Sequence, residues 1–406
     1  MTSKPLKAGS DSADEFSMDL NRLLRNAVDR GASDVHLKAG RPPVVRLDGE
    51  LQTLTGWEPL GPAQLELLFR DVCAAPARLA GFQDSGEFDA AYQAAGLPRF
   101  RVNAFRQRGD ISFAFRVIPS DIPNFDSLMI PRGVRNLAEE NRGLILVTGA
   151  TGVGKTTTLA AIVDHINKTR RSHIVTIEDP IEILHADRES IVNQREVGLD
   201  TESFGQALRR ALRQDPDTIL IGELRDAETA QTALQAAESG HLVLSTMHTV
   251  DAAETLGRLI EFFPEGKQQQ IRSITAGVLR GVISQRLLPR TAGGRVAAIE
   301  VMVTNARISD LIREDRPDEI TDAIAEGDFF QMQTFEQALI ELVTRGEVET
   351  DVAANAAGNR HDFLVALERE QKLRALGESR AAEPEPDQLL APHAEGESDF
   401  SGLRLA

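Results

Sequence analysis

The chain has very little cysteine, few aromatic residues and no long apolar run. Its single cysteine, Cys73, excludes an internal disulfide framework and a cysteine-rich zinc site within one chain. Aromatic residues make up 5% of the 406 residues, with one Trp and one Tyr, so a platform for stacking nucleic-acid bases is not expected. No apolar run approaches the ~18–20 residues of a membrane-spanning helix, and the N-terminus lacks the apolar core of a signal peptide. These absences predict a soluble, cytoplasmic protein.

Positive charge is also in short supply. Asp and Glu total 62 against 45 Lys and Arg, and the formal net charge is −17. Such a surface repels nucleic acid and anionic lipid unless a local basic patch overrides it. The charge balance therefore argues against a nucleic-acid translocase and against nucleic acid as a partner.

A glycine-rich segment follows an apolar run in the middle of the chain. Residues 144–147 are typical of a buried strand, and residues 149–156 fit the G-x-x-x-x-G-K-[ST] phosphate loop. Apolar residues then recur at helical spacing, so a helix begins at the loop and adds partial positive charge there. Lys155 is placed to neutralise phosphates and the Thr156 hydroxyl to bind Mg²⁺, which predicts a site for a nucleoside triphosphate such as ATP. The residues predicted to bind the nucleotide are Gly149, Thr151, Gly152, Val153, Gly154, Lys155, Thr156 and Thr157.

The pattern of elements changes along the chain. Over residues 16–118, helix and alternating strands without a βαβ rhythm predict a small α+β domain. Residues 119–131 contain three prolines and predict a linker. Over residues 132–370, apolar strands alternate with helices, which predicts an α/β nucleotide-binding core that ends in helices. Residues 1–15 and 371–406 are too polar to bury themselves and are predicted to be disordered.

Three strands after the phosphate loop end in residues that can do chemistry. These are Glu178, Glu223 and His248. In open α/β sheets, ligands bind beyond the carboxyl ends of the strands. An acid there can hold Mg²⁺ or orient the attacking water, so Glu178 and Glu223 are the candidates for phosphoanhydride hydrolysis. Further on, residues 268–288 show helical periodicity.

Arginines cluster in the N-terminal domain. They are Arg99, Arg101, Arg106, Arg108 and Arg116. On an alternating strand, Phe100 and Val102 face one way while Arg99 and Arg101 face the other. An arginine supplied from another domain or subunit can raise the turnover of a phosphoryl-transfer site by about 10³–10⁵. The cluster therefore suggests that arginines of this domain complete the nucleotide site.

Several ordered motifs together match one family. They are the phosphate loop (Walker A), residues 176–182 (an Asp box), residues 222–226 (Walker B), residues 240–249 (a His box), and the N-terminal stretches 31–37 and 99–103. On these motifs, the chain resembles the type IV pilus retraction ATPases of the PilT/PilU type, in the secretion ATPase superfamily. The resemblance covers about residues 18–360.

The resemblance implies a hexameric ring in which each subunit has a PAS-like N-terminal domain and a RecA-like P-loop ATPase domain, with ATP and Mg²⁺ between them. It also implies site residues, by position: Glu178 as the catalytic glutamate, Glu223 as the magnesium acid, His241 and His248 as a pair that senses the nucleotide, and Arg101 and Arg116 as arginine fingers.

The implied work is retraction of a type IV pilus through an inner-membrane platform protein, by a cytoplasmic motor peripheral to that membrane. The element Ala306–Glu314 matches the family's C-terminal motif only in its second half. The chain could therefore be the main motor or an accessory paralogue that works with another pilus ATPase. Two alternatives remain open: a pilus-extension or type II secretion ATPase, and an ATP-binding adaptor that modulates a partner motor.

Overall fold

The structure is a computed structural model that describes residues 11–47, 49–73, 76–118 and 122–381. The chain divides into two compact units. The first comprises the residues up to Leu287 together with 296–334, and the second comprises 288–295 together with the residues from Phe335 onwards.

The first unit opens with a helix and an antiparallel sheet, called here the N-terminal sheet. Its elements are α1 (Asp11–Asp29), β1 (Asp34–Leu37), β2 (Val44–Leu47), β3 (Glu50–Thr53), α2 (Pro62–Val72), α3 (Pro76–Ser85), β4 (Glu87–Tyr92), β5 (Phe100–Gln107) and β6 (Asp110–Val117). Helix α1 begins earlier than the predicted end of disorder at residue 15, because its polar first turn continues an amphipathic helix that buries Leu24. Residues 1–10 lie outside the described residues.

The N-terminal sheet pairs its strands in the order β3-β2-β1-β6-β5-β4. In β5, Phe100 and Val102 are fully buried while Arg101 between them is exposed, as the alternation of a strand requires. Helix α2 packs against β6 and buries Leu65 in the same apolar core. This arrangement confirms the predicted α+β fold. It also places Arg101 on the face of β5 that points away from the apolar core, opposite Arg116 on β6.

The rest of the first unit is built on a second sheet, the central sheet. Its elements are α4 (Arg132–Ala138), β7 (Gly143–Thr148), α5 (Lys155–Thr169), β8 (His173–Glu178), β9 (Ile191–Glu196), α6 (Phe204–Ala211), β10 (Thr218–Ile221), α7 (Ala227–Glu238), β11 (Leu242–Met247), α8 (Ala252–Glu261), α9 (Glu265–Val278), β12 (Leu279–Pro289), β13 (Arg295–Val303), α10 (Ala306–Glu314) and α11 (Ile320–Ala325). The described part of the predicted linker, residues 122–131, contains no helix or strand, and residues 119–121 lie outside the described residues.

The central sheet has the strand order β13-β12-β7-β11-β10-β8-β9. Strands β7, β11, β10, β8 and β9 pair in parallel, and β7 and β11 are buried along their whole length. Because parallel strands end at the same edge, the residues that follow them meet there. This confirms the predicted α/β nucleotide-binding core.

Two predictions about local structure need correction. The helical periodicity over residues 268–288 holds only to Val278, where α9 ends, and Leu279 begins strand β12, which pairs in parallel with β7. Strand β12 is buried over most of its length, and periodicity alone does not distinguish a short buried strand from a buried helical segment. Strand β9 was not predicted, because its sequence Ile-Val-Asn-Gln-Arg-Glu is mostly polar and only partly buried.

The second unit is helical and consists chiefly of α12 (Phe335–Thr344), α13 (Thr350–Ala356) and α14 (Arg360–Ala381). Helix α14 extends ten residues beyond the predicted start of the disordered tail at residue 371. Ion pairs at i,i+4 spacing, such as Lys372 with Glu368, support this helix in water. The rest of the predicted tail, residues 382–406, lies outside the described residues. Within the described chain, every helix is too short or too polar to cross a bilayer.

Candidate nucleotide site

The phosphate loop connects the carboxyl end of β7 to the first turn of α5. Gly149 has φ 135°, and a side chain there would place its Cβ 2.5 Å from the Gln285 carbonyl oxygen, so only glycine fits. Gly154, with φ 92°, caps α5, which begins at Lys155. The first N–H groups of this helix have no partner within it and carry its positive end, so the loop offers donors to an anion. The other predicted loop residues are exposed (Thr151, Gly152) or half-buried (Val153, Thr156, Thr157).

The Lys155 ammonium is buried inside the loop. Its Nζ donates to the carbonyl oxygens of Gly149 (2.6 Å) and Ala150 (3.0 Å) and lies 3.3 Å from Nδ1 of His248. Burial lowers the pKa of Lys155, and the Glu223 carboxylate partly opposes that shift. The ammonium group is thus held in the loop by hydrogen bonds to backbone oxygens. An incoming phosphate would replace these hydrogen bonds.

The Glu223 carboxylate contacts two side chains at the same edge of the sheet, His248 and Arg225. Glu223 follows β10 and His248 follows the neighbouring parallel strand β11, so both lie at the carboxyl edge of the central sheet. The Nε2 atom of His248 is 3.3 Å from Oε1 of Glu223, and Nη2 of Arg225 is 2.7 Å from Oε2. A continuous chain of contacts therefore runs from Lys155 through His248 and Glu223 to Arg225.

Glu178 ends β8 at the same edge of the sheet. Its Oε1 accepts hydrogen bonds from the Thr176 hydroxyl (2.6 Å) and from Nε2 of Gln194 (3.0 Å). Burial raises the pKa of Glu178, while these two donors and the backbone N–H of Glu182 act in the opposite direction. A buried carboxyl with a raised pKa, oriented by fixed donors, has the character of a general base.

The two histidines of the His box lie at opposite ends of β11. His248 follows the strand and reaches Lys155, whereas His241 precedes it and its Nδ1 lies 2.9 Å from the carbonyl oxygen of Ala236. The two are seven positions apart along the strand, which is roughly 23 Å at about 3.3 Å per residue. Within one chain the two histidines therefore do not meet at one phosphate group.

Arg101 and Arg116 lie side by side on the N-terminal sheet. They are directly opposite each other on β5 and β6, and Arg116 is opposite Asp34 on β1. The Nε atom of Arg116 donates to Oδ1 of Asp34 at 2.9 Å although its side chain is 70% exposed, and Arg101 lies 4.0 Å from Asp89. Their described partners all belong to the N-terminal sheet, so this geometry presents two guanidinium groups on one face.

Sequence reasoning missed three residues that shape the site. Arg225 lies inside the Walker B segment, and its spacing from Glu223 was available as a signal. Gln194 lies on the unpredicted strand β9, and no sequence signal marked it. Gln285 lies on β12 behind the phosphate loop, where its Nε2 donates to the Thr158 hydroxyl at 2.8 Å.

No group of three or more His, Cys, Asp or Glu side chains is arranged to hold a metal ion by itself within the described part of the chain. Mg²⁺ is commonly held by one or two protein oxygens together with substrate phosphates and water. The half-buried Thr156 hydroxyl at the start of α5 and the Glu223 carboxylate after β10 are donors of that kind.

Comparisons with known proteins identify the family to which this chain belongs. The family described as "Type II/IV secretion system protein" matches residues 130–351. The type IV pilus retraction ATPase PilT of Pseudomonas aeruginosa is 44% identical over 346 residues, which cover 85% of this chain and 100% of that protein. The type IV pilus ATPase PilU of the same organism is 39% identical over 86% of this chain and 91% of that protein.

A crystal structure of the pilus retraction motor PilT with bound ADP is also similar. It has a TM-score of 0.78 at 43% identity and covers 84% of this chain and 97% of that one. The fold therefore agrees with that of a relative matched over most of its length. The chain is an ATPase that belongs to the type II/IV secretion system protein family and, within it, to the PilT/PilU-type pilus retraction ATPases.

Proposed function

We propose that this chain is the ATP-hydrolysing subunit of a hexameric ring that powers type IV pilus retraction, as main or accessory motor. The observation that carries the proposal is the assembly of Lys155, His248 and Glu223 beside the phosphate loop, with Glu178 on the same edge of the sheet. A phosphate-binding loop, a cation and two acids are the parts that phosphoanhydride hydrolysis requires.

Each residue has a role that its surroundings favour. The backbone N–H groups of the phosphate loop and Lys155 bind the β- and γ-phosphates and absorb charge as the terminal phosphoryl group leaves. Glu178 orients the attacking water and accepts its proton, which its raised pKa favours. His248, between Lys155 and Glu223, responds to whether a γ-phosphate engages the lysine.

Mg²⁺ would be held by the Thr156 hydroxyl and by Glu223, directly or through water. When bound, the ion neutralises charge on the phosphate oxygens. Binding would require Glu223 to loosen its contacts with His248 and Arg225, so occupancy of the metal site and the position of His248 are coupled.

Arg101 and Arg116 would act on the ATP of a neighbouring subunit. They share one polar face of the N-terminal sheet and make their described contacts only within that sheet. A ring built head to tail places such a face against the next subunit's site. Hydrolysis then changes the tilt between domains and drives the cycle of ring closure.

The mechanical output would pass to an inner-membrane platform protein, with the ring on the cytoplasmic side and peripheral to the membrane. A paralogous pilus ATPase is a further partner, because relatives named PilT and PilU occur in one organism and both match this chain over most of its length.

The first test is phosphate release by purified Lys155→Ala. We expect turnover to be abolished, because the γ-phosphate loses its cation. Lys168→Ala is the matched control, since Lys168 lies on the same helix and its half-exposed side chain pairs with Asp164. Normal turnover by Lys155→Ala would refute the proposed site. Wild-type protein that binds ATP but turns over only with a partner ATPase would favour the adaptor function.

The second test addresses the shared site. Subunits carrying Arg101→Ala are mixed with subunits carrying Lys155→Ala, each inactive alone. If arginines act between subunits, roughly a quarter of the seams in a randomly mixed ring regain all residues, and activity returns. If no ratio restores activity, the arginines do not act across a seam.

A further inference from the structure

A buried ion pair joins the N-terminal sheet to the central sheet. The Nη2 atom of Arg99 donates to Oε2 of Glu196 at 2.6 Å, and the two side chains are only 12% and 6% exposed. Arg99 directly precedes β5 of the N-terminal sheet, and Glu196 is the last residue of β9 in the central sheet. The pair therefore connects the domain that carries Arg101 to the sheet that carries the phosphate loop.

The same glutamate also holds the segment that follows Glu178. Its Oε2 accepts the backbone N–H of Ile181 at 3.3 Å, three residues after Glu178. Next to it, the N–H of Val197 donates to the carbonyl oxygen of Glu178 at 2.8 Å. The end of β9 is thus bonded to the backbone at Glu178 and three residues beyond it.

Strand β9 holds the Glu178 side chain as well, through Gln194. Two contacts from β9 and one from Val197, the residue after it, therefore converge on the proposed base: one on its carboxylate, one on the segment after it and one on its own carbonyl oxygen. Any displacement of β9 relative to β8 would move the Glu178 carboxylate.

The energetics argue that this ion pair serves more than stability. Taking two charges out of water is costly, and a buried ion pair often stabilises a fold no more than apolar residues of similar size do. In addition, Nε of Arg99 is buried and has no hydrogen-bond partner in the described part of the chain. Because burying Arg99 is costly and only its Nη2 has a described partner, stabilisation of the fold alone does not explain an arginine at this position.

We propose that Arg99 and Glu196 are positioning residues through which the N-terminal domain sets the placement of the Glu178 carboxylate. The proposal rests on the proposed catalytic role of Glu178. A change in the tilt of the N-terminal domain pulls on Glu196, and Glu196 moves the segment at residues 178–181. The pair then links domain motion to the hydrolytic step within one subunit, separately from the arginines that reach a neighbour.

The test is a double-mutant cycle of Arg99→Gln, Glu196→Gln and the combined variant. Melting temperature, KM for ATP and kcat are measured for each. Each single change leaves one buried charge unpaired and lowers the melting temperature, whereas the combined variant leaves none and recovers it. Arg171→Gln is the matched control, because Arg171 forms an exposed ion pair with Glu189 and has no role in the proposed site.

We expect both single variants and the combined variant to lose about tenfold in kcat, within the ~10²-fold that a 1 Å misplacement can cost. KM should stay within about twofold, because the phosphate loop is untouched. The decisive result is a combined variant with a restored melting temperature and a kcat that stays low. The control should behave as wild type.

A combined variant that recovers kcat together with its melting temperature would overturn the proposal, because the pair would then act only on folding. Unchanged kcat in Arg99→Gln, or a raised KM with normal kcat, would overturn it too. Glu178→Gln is measured in parallel. If it is inactive while the Arg99 variants are normal, only this inference fails; if it remains active, the proposed role of Glu178 fails.

Discussion

The buried carboxyl of Glu300 makes the stability of the ATPase core depend on pH. Glu300 lies on β13, is 4% exposed, and accepts the backbone N–H of Ala252 at the start of α8 at 2.9 Å. The Ser284 hydroxyl also donates to it, and Ser284 in turn accepts from Thr148, the last residue of β7 before the phosphate loop. Burial raises the pKa of Glu300 to about 7; the nearby Asp251 adds to the rise and Arg286 opposes it.

The sign and the size of the effect follow from this pKa. The folded protein holds the Glu300 proton more tightly than the unfolded chain, so the free energy of unfolding falls as the pH rises from about 4.5 to about 7. At about 1.4 kcal/mol per pKa unit, the loss at pH 8 is about 3 kcal/mol. Glu300→Gln keeps an oxygen to accept the Ala252 N–H but carries no charge at any pH, so it escapes this loss.

The assay is thermal unfolding of wild type and Glu300→Gln at pH 5 and pH 8. At pH 8 we expect the variant to unfold roughly 6–12 °C higher, taking about 2–4 °C per kcal/mol for a domain of this size. At pH 5 the difference should shrink to under about 1 kcal/mol. Glu261→Gln, an exposed carboxylate in an ion pair with Arg258, should not change its difference from wild type between the two pH values.

The refuting outcome is a stability difference between Glu300→Gln and wild type that is the same at pH 5 and pH 8. Glu300 would then have similar proton affinity in the folded and unfolded states. Such a result would show that the buried contacts with Ala252 and Ser284 stabilise the charged form as well as water does.

Two further predictions concern the groups that hold the proposed catalytic residues. Gln194→Leu removes a hydrogen-bond donor to the Glu178 carboxylate, so the pKa of Glu178 rises further. The acidic limb of the kcat–pH profile therefore moves to higher pH. An unmoved limb would show that Glu178 is not the titrating base. Asp34→Asn removes the charge that holds Arg116, so turnover should fall measurably, by less than about tenfold, with a small change in stability. Turnover is measured by phosphate release, and unchanged turnover would argue against Arg116 as a catalytic group.

Much of the candidate site could be predicted from the sequence because its parts are local. The phosphate loop is a contiguous motif, and its glycines and Lys155 are needed wherever a strand turns into a helix around a phosphate. Glu178, Glu223 and His248 were found because each follows an apolar strand, and parallel strands end at one edge. The alternation of Phe100 and Val102 likewise indicated that Arg101 faces away from the core.

The tertiary structure alone decided which residues meet. Hydrophobic periodicity could not identify β9, a polar strand whose conformation comes from pairing with β8, nor separate β12 from a helix. It therefore missed Gln194 and Glu196, and with them the buried pair with Arg99. The resemblance implied that His241 and His248 act as a pair, and only the structure showed that they lie at opposite ends of β11, because an extended strand separates residues that are close in sequence. The sequence by itself thus determined the phosphate loop and the acids at the strand ends. Long-range strand pairing decided which side chains hydrogen-bond to those acids and hold them in place.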